Sequence, residues 1–114
     1  MKFKTAYIAG PVSGKDPAIV GEMFNRQAEI LESQGYKVVN PVTYVAELIA
    51  AYFKQFGEYL NDDVPWQRKL ILNACISKMA MCEEVHLLPG WKDSKGATME
   101  RDIALRMGKL IFYP

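Results

Sequence analysis

The stretch Pro89-Gly-Trp-Lys-Asp-Ser-Lys-Gly-Ala-Thr-Met-Glu100 decides the fold, because a strand, a loop and a helix meet there. The apolar run Val85-His-Leu-Leu88 before it predicts a buried strand, and residues 97–108 have helical spacing. One proline and two glycines break the pattern between them. α/β proteins hold small ligands in this arrangement, beyond the carboxyl end of a parallel strand.

The start of this predicted helix is a candidate anion site. Ser94 is a good helix-capping residue, and the absence of a side chain at Gly96 lets a ligand approach the main chain. Free amides and the positive end of the helix dipole favour a phosphate or carboxylate there. A simple helix cap without a ligand explains Ser94 equally well, and this local pattern leaves both readings open.

Glu100 is the candidate catalytic residue. A helix that begins near Gly96 places three apolar residues on one stripe with Glu100, namely Ile103, Ala104 and Met107. Charged side chains seldom occupy a core-facing stripe without a partner or a task. The alternative is a glutamate in the first turns that only complements the helix dipole.

The rest of the chain alternates between strand and helix patterns. Strands are predicted over 3–9, 36–39, 85–88 and 110–113, and helices over 17–34, 44–60, 65–81 and 97–108. This order predicts an α/β protein with a three-layer Rossmann/flavodoxin-like fold, in which helices flank a parallel sheet of four to five strands. Its strand-to-helix loops (10–16, 40–44 and 89–97) then open on one edge, where the first and last of them form a pocket.

Composition predicts a single domain over residues 1–114. A formal charge of +1 with both signs mixed argues against a nucleic-acid polymer as partner. No apolar run is long enough to span a membrane, and the first residues lack a signal-peptide pattern, so we expect no membrane association. Cys75 and Cys82 are expected to be buried thiols of a reducing compartment, which predicts a cytoplasmic protein.

Neither a metal nor a cofactor is predicted. The chain has one histidine, His86, and no cluster of residues with metal-ligand spacing. The turn Gly10-Pro-Val-Ser-Gly14 after the first strand is not the GxGxxG fingerprint of dinucleotide-binding proteins. Four aromatic residues between positions 52 and 59 could line a base-binding lid or a dimer face, or could simply pack in the core.

Several motifs together resemble the DUF4406 family of the nucleoside 2-deoxyribosyltransferase-like superfamily. They are Tyr7-Ile-Ala-Gly-Pro11, Phe24-Asn25, Val39-Asn-Pro41, Leu87-Leu-Pro-Gly-Trp91 and Ser94-x-Gly96-x-x-x-Glu100. The similarity covers nearly the whole chain. The superfamily includes deoxynucleoside 5′-monophosphate N-glycosidases, so the resemblance implies an enzyme that cleaves or transfers at an N-glycosidic bond, with a nucleotide or nucleoside as the small-molecule ligand.

The resemblance also implies roles for individual residues. Ser94 and Gly96 would hold the 5′-phosphate, Glu100 would attack the anomeric carbon, and Tyr7 and Gly10 would flank the sugar. Further candidates for substrate binding are Pro11, Asn40 and Trp91, the last of which either stacks on the ligand or packs over the end of the sheet. Together with the aromatic helix, the resemblance predicts a homo-oligomer, a dimer or tetramer, with sites completed by a neighbour.

The sequence departs from these relatives at the second acid, which protonates the leaving base and needs a raised pKa. Many relatives carry Asp near position 75, whereas this chain has Cys75, a poor acid at neutral pH. Glu83 could keep an acidic role or could simply end the helix in solvent, and one of the loop aspartates (Asp62, Asp63, Asp93) could instead reach the pocket. Two hypotheses therefore remain: an N-glycosidase or deoxyribosyltransferase that uses Glu100, and a non-catalytic protein that sequesters a nucleotide-like ligand.

Overall fold

The computed structural model describes residues 3–114, which form four strands and four α-helices. In chain order these are β1 (Thr5–Ala9), α1 (Pro17–Ser33), β2 (Lys37–Val39), α2 (Pro41–Phe56), α3 (Pro65–Ala80), β3 (Glu84–Leu87), α4 (Lys95–Arg106) and β4 (Leu110–Phe112). A short 3₁₀ helix, Trp91–Asp93, lies between β3 and α4. The predicted alternation of strands and helices is confirmed.

The strands form one parallel sheet in the order β2-β1-β3-β4. Tyr7 on β1 pairs in register with Val39 on one side and Val85 on the other. The chain therefore switches direction along the sheet at β1, and the crevice beyond the carboxyl ends of β1 and β3 is where such folds bind ligands. The predicted three-layer α/β fold is confirmed, with four strands.

The two faces of the sheet carry separate hydrophobic clusters, because side chains alternate along each strand. Ala6 and Ile8 face α1 and pack with its buried residues Val20 and Phe24. The opposite face carries Tyr7 and Ala9 of β1, Val85 and Leu87 of β3, Cys75 and Met79 of α3, and Ala97 and Ala104 of α4. Tyr7 consequently points toward the helix that carries Glu100.

The loop after β1 (residues 10–16, the first loop) and the loop after β3 (residues 88–94, the central loop) are neighbours, as expected for adjacent strands. Leu88 donates its backbone N–H to the carbonyl of Ala9 at 2.8 Å. A Cβ atom at Gly10 would lie 2.9 Å from the Cβ of Leu88, so the two segments approach as closely as they do only because residue 10 is glycine. Gly90, with φ of 85°, leaves room for the ring of Pro11.

The boundaries predicted for α2 were wrong at both ends. The helix begins at Pro41 and not near residue 44, because Asn40 caps it and Pro41 takes the first helical position. The expected loop over 40–44 therefore does not exist. The helix ends at Phe56 and not near residue 60, because Gly57 adopts the left-handed conformation with φ of 76°.

Helices α2 and α3 together leave an aromatic surface uncovered, which we define as Phe53, Phe56, Tyr59 and Trp66. These side chains are 40, 59, 65 and 56% exposed, respectively. Phe53 stacks on Tyr59 with ring centroids 4.2 Å apart. Core packing is therefore the wrong explanation for Phe53, Phe56 and Tyr59, whereas Tyr52 is half-buried. No helix within residues 3–114 combines the length and the apolar character that crossing a membrane requires.

Candidate functional site

The N-terminus of α4 is built as the sequence predicts. Ser94 is the N-cap, and its Oγ accepts a hydrogen bond from the Ala97 N–H at 3.2 Å. The first amides of a helix, here those of Lys95 and Gly96, have no acceptor within the helix itself. A Cβ atom added at Gly96 would meet no atom within 4 Å. The main chain is therefore open on the side where a Cβ would lie, so a ligand can approach it there.

Glu100 lies two turns into α4 and is buried, with 7% of its surface exposed. The Tyr7 hydroxyl donates a hydrogen bond to its Oε2 at 2.5 Å. Burial raises the pKa of Glu100 to about 7, and the hydrogen bond from Tyr7 limits that rise. A glutamate that only complemented the helix dipole would lie in solvent, so the prediction that Glu100 lies on the core-facing side is confirmed.

Tyr7 reaches Glu100 from the centre of β1, and its side chain is fully buried. Burial, followed by the nearby charge of Glu100 and the Cys75 thiol, raises the pKa of Tyr7 well above its ordinary value of 10. The phenol therefore keeps its proton at every physiological pH. It serves as a fixed hydrogen-bond donor to the carboxylate.

Cys75 on α3 is the third member of this group. It is a free, buried thiol. Burial and the charge of Glu100 raise the pKa of Cys75 to about 11. A hydrogen bond with Tyr7 lowers this pKa, but by less. The thiol is therefore neutral at pH 7. We call Tyr7, Cys75 and Glu100, which come from β1, α3 and α4, the Glu100 centre.

The other predicted substrate-binding residues lie in contacts within the protein. Gly10 and Pro11 join the first and central loops, as described above. Asn40 accepts a hydrogen bond from the Val42 N–H at 3.0 Å and donates one to Asn25 Oδ1 at 2.9 Å. Trp91 is buried in the cluster on the α4 face, with the Arg101 guanidinium 5.0 Å from its ring centroid. Ligand contacts by these residues remain predictions.

The candidates for a second acid lie apart from the Glu100 centre. Asp62, Asp63, Asp93 and Glu83 are all exposed. In the described part of the chain, no carboxylate other than Glu100 perturbs the pKa of Tyr7, Cys75 or Glu100. The centre therefore contains a single carboxyl group.

A cavity of about 420 Å³ lies beside the edge strand β2 and not at the Glu100 centre. Its lining includes Asn40, Tyr44, Glu47 and Lys78. Of the predicted site residues, only Asn40 lines this cavity. The position of Asn40 directly after β2 was visible in the sequence. The cavity itself lies between side chains of α1, β2, α2 and α3, which are far apart in the chain, so no local pattern predicts it.

Two side-chain arrangements were not foreseen from the sequence. One is the contact of Cys75 with Tyr7 and Glu100, because residues on three separate elements give no local pattern. The other is a buried pair on β3, in which His86 Nε2 lies 2.9 Å from Glu84 Oε1. Because side chains alternate along a strand, Glu84 and His86 lie on the face of the sheet away from the Glu100 centre. His86 is buried within its strand.

Comparison of the sequence with models of protein families finds a match. A family model described as "Domain of unknown function (DUF4406)" matches residues 4–113, nearly the whole chain. The chain belongs to the DUF4406 family. The match includes Tyr7, Cys75 and Glu100, so the entire Glu100 centre lies within the DUF4406 domain. No curated protein matches the sequence.

Proposed function

We propose that this DUF4406 protein cleaves or transfers at the N-glycosidic bond of a nucleoside or deoxynucleoside 5′-monophosphate, with Glu100 as the nucleophile. The observation that carries the proposal is the position of a buried carboxylate on the helix whose N-terminal amides are open. Gly96 and Glu100 are four residues apart, a rise of about 6 Å along a helix. A ribose 5-phosphate can bridge this distance, with its phosphate at the amides and its anomeric carbon at Glu100.

The electrostatics of the Glu100 centre suit a nucleophilic carboxylate. With a pKa of about 7, a large fraction of Glu100 is ionised at neutral pH, and burial keeps the anion poorly solvated. Tyr7 donates to one carboxylate oxygen and thereby orients the other. Cleavage of an N-glycosidic bond passes through an oxocarbenium-like state that a carboxylate can trap as a glycosyl-enzyme. Water then completes hydrolysis, or a second base completes transfer.

The sequence resemblance supports the same chemistry. The motif Ser94-x-Gly96-x-x-x-Glu100 is similar to that of the nucleoside 2-deoxyribosyltransferase-like superfamily, in which it holds phosphate and supplies the nucleophile. The cap at Ser94, the open space at Gly96 and the burial of Glu100 agree with those three roles. We assign the chain to this superfamily as part of the proposal.

The proposal includes a homo-oligomer that forms through the aromatic surface. Helix α2 is rich in apolar residues, yet Pro41 is its only buried residue. Aromatic side chains bury roughly 150–250 Å² each when fully covered, and about half of each of these four is still exposed. Together they can supply roughly 300–500 Å² of the roughly 800 Å² per partner of a standard interface. A second copy of the chain is the partner that this surface fits.

Base release by the wild type and a Glu100→Gln variant tests the proposed activity. The purified protein is incubated with nucleosides and their 5′-monophosphates, and free base is measured by chromatography. We expect release from monophosphates but not from nucleosides, and a loss of at least about 1000-fold in Glu100→Gln. Glu58→Gln, at an exposed loop position, is the matched control and should retain full activity. Unchanged release by Glu100→Gln would overturn the proposal.

A non-catalytic nucleotide-binding protein is the second candidate. It is favoured by one observation, the absence of a group at the Glu100 centre that could donate a proton to a departing base near neutral pH. This candidate predicts a thermal shift with a nucleotide and no product. It also predicts weaker binding in Ser94→Ala, which removes the helix cap, and in Gly96→Val, which fills the open space beside the main chain at residue 96.

A further inference from the structure

The Glu100 centre lacks a proton donor for the leaving group. When a neutral nucleobase departs from a sugar, one of its nitrogen atoms takes up a proton, and a positioned acid normally supplies it. In this protein the neighbours of Glu100 are a phenol and a thiol whose pKa values both lie well above neutral. Glu100 itself must be ionised in order to attack. None of the three groups can therefore act as the acid near pH 7.

The elements packed against α4 supply no other acid. On β3, Val85 and Leu87 face the centre, whereas Glu84 and His86 pair in register with Ala6 and Ile8 and point to the opposite face of the sheet. The remaining charged groups of these elements are engaged elsewhere or lie in solvent. Lys78 lies over the Tyr44 ring, Lys109 donates to the carbonyls of Ala80 and Cys82, Lys92 and Arg101 lie over Trp91, and Asp102 lies beside the Arg101 Nε. The others are exposed, namely Arg68, Lys69, Asp93, Lys95 and Arg106.

We infer that the substrate is a 5′-phosphorylated N-glycoside whose base carries a permanent positive charge, a pyridinium nucleotide. This inference rests on the proposed function and specifies its substrate class. A pyridinium base departs as a neutral molecule when the glycosidic electron pair returns to its ring nitrogen. It needs no proton, so a centre with one carboxylate and no acid is sufficient.

The reaction balances with the groups present and water. In the first step a Glu100 carboxylate oxygen bonds to the anomeric carbon while the bond from that carbon to the pyridinium nitrogen breaks, and the electron pair neutralises the ring. In the second step the oxygen of water bonds to the anomeric carbon, the ester bond to Glu100 breaks, and one proton passes to solvent. The products are ribose 5-phosphate, a neutral pyridine base and a proton.

Charge complementarity favours the same substrate. The ionised carboxylate of Glu100 is buried, and no lysine, arginine or histidine in residues 3–114 lowers its pKa. A cationic ring beside it would provide the missing opposite charge and stabilise the ionised form. After cleavage the base is neutral, so this attraction disappears and the product can leave. A neutral nucleobase offers Glu100 no such interaction.

The test compares nicotinamide mononucleotide with its reduced form, dihydronicotinamide mononucleotide, which has the same sugar and phosphate and a neutral ring. Uridine 5′-monophosphate is the neutral nucleobase control. At pH 8 we expect nicotinamide to be released at least about 100-fold faster than either neutral base, because a missing general acid typically lowers the rate by 10²–10⁴. The rate should rise with pH through the ionisation of Glu100 and then stay level, and Glu100→Gln should abolish it.

The possible results separate this inference from the proposed function. Equal rates on cationic and neutral bases, or a rate that falls again at high pH, would show that an acid acts and would overturn the inference while the proposed function stands. No release from any of the three nucleotides would overturn the inference, whereas the proposed function fails only if no other nucleoside or deoxynucleoside 5′-monophosphate releases its base. Folding of the Glu100→Gln variant is checked by circular dichroism, and Glu58→Gln, which lies outside the Glu100 centre, should behave as the wild type.

Discussion

At the scale of single residues, the account depends on one buried carboxylate and the two neutral groups beside it. A glutamate that is 7% exposed and bonded to a phenol is maintained at a cost in stability, because its charged form is poorly solvated. Such a cost is typical of functional positions. Two predictions follow from the electrostatics of Glu100.

The first concerns stability and pH. The pKa of Glu100 is raised from 4.5 to about 7 in the folded protein, so the folded state binds the extra proton between these values. The stabilisation from this proton is fully present below pH 4.5 and is lost as pH rises through 7. A shift of this size corresponds to roughly 3 kcal/mol in the free energy of unfolding. Urea unfolding should show that the free energy of unfolding decreases less between pH 5 and pH 8 in Glu100→Gln than in the wild type. The variant should also be the more stable of the two proteins at pH 8.

Glu58→Gln serves as the control, because residue 58 is exposed and its substitution should leave the difference between pH 5 and pH 8 unchanged. An equal pH dependence in the wild type and Glu100→Gln would mean that Glu100 has an ordinary pKa in the folded state.

The second prediction concerns Tyr7. Its hydrogen bond lowers the pKa of Glu100, so Tyr7→Phe should raise that pKa above 7. The pH at which base release reaches half its maximum should move upward by the same amount, with a smaller effect on the maximal rate. A pH profile of kcat measures both. A loss of rate that is equal at every pH would instead indicate that Tyr7 only shapes the pocket.

At the scale of elements, the glycine after β1 and the glycine in the first turn of α4 serve opposite purposes, and substitution distinguishes them. Gly10→Ala would bring a Cβ within 2.9 Å of Leu88 and should destabilise the protein by about 1–3 kcal/mol. Gly96→Ala meets no atom within 4 Å and should leave stability unchanged or raise it by up to about 1 kcal/mol. Because the new methyl group occupies part of the open space beside the main chain at residue 96, it should also weaken phosphate binding.

Thermal unfolding of both variants, together with calorimetric titration of a 5′-monophosphate, measures these effects. Unchanged nucleotide affinity in Gly96→Ala would place the phosphate elsewhere than the α4 terminus.

The sequence predicted the strands, helices and helix caps better than it predicted which side chains meet in the Glu100 centre. The pattern of apolar residues on either side of the segment 89–96 predicted β3 and α4, and Ser94 within it was predicted as the helix cap. Each of these depends on local chemistry. The predicted start of α2 is wrong although the Asn40-Pro41 capping signal is present, since the prediction placed both residues in a loop over 40–44. The contact among Tyr7, Cys75 and Glu100 depends on the register of β1 and β3 and on the packing of α3, which no local pattern encodes.

At the scale of the whole molecule, the sheet and its helices close around the Glu100 centre, but α2 and α3 leave the aromatic surface exposed. We predict that Phe56→Glu converts the oligomer into a monomer, because it places a charge on that surface at a side chain that is 59% exposed. Sedimentation velocity measures the change. Ile19→Glu, at a 57% exposed position on α1, is the control and should leave the oligomer intact. A wild-type protein that sediments as a monomer would contradict this part of the account.

The most direct test of the central claim is to identify the residue that bonds to the sugar. A 2′-fluoroarabino nucleoside 5′-monophosphate slows hydrolysis of a glycosyl-enzyme, so the adduct can be trapped and located by mass spectrometry after digestion with trypsin. The account predicts that the added mass lies on Glu100, within the peptide Gly96–Arg101, and that it is absent in Glu100→Gln. Base release without modification of that peptide, or an adduct on Cys75, would contradict it.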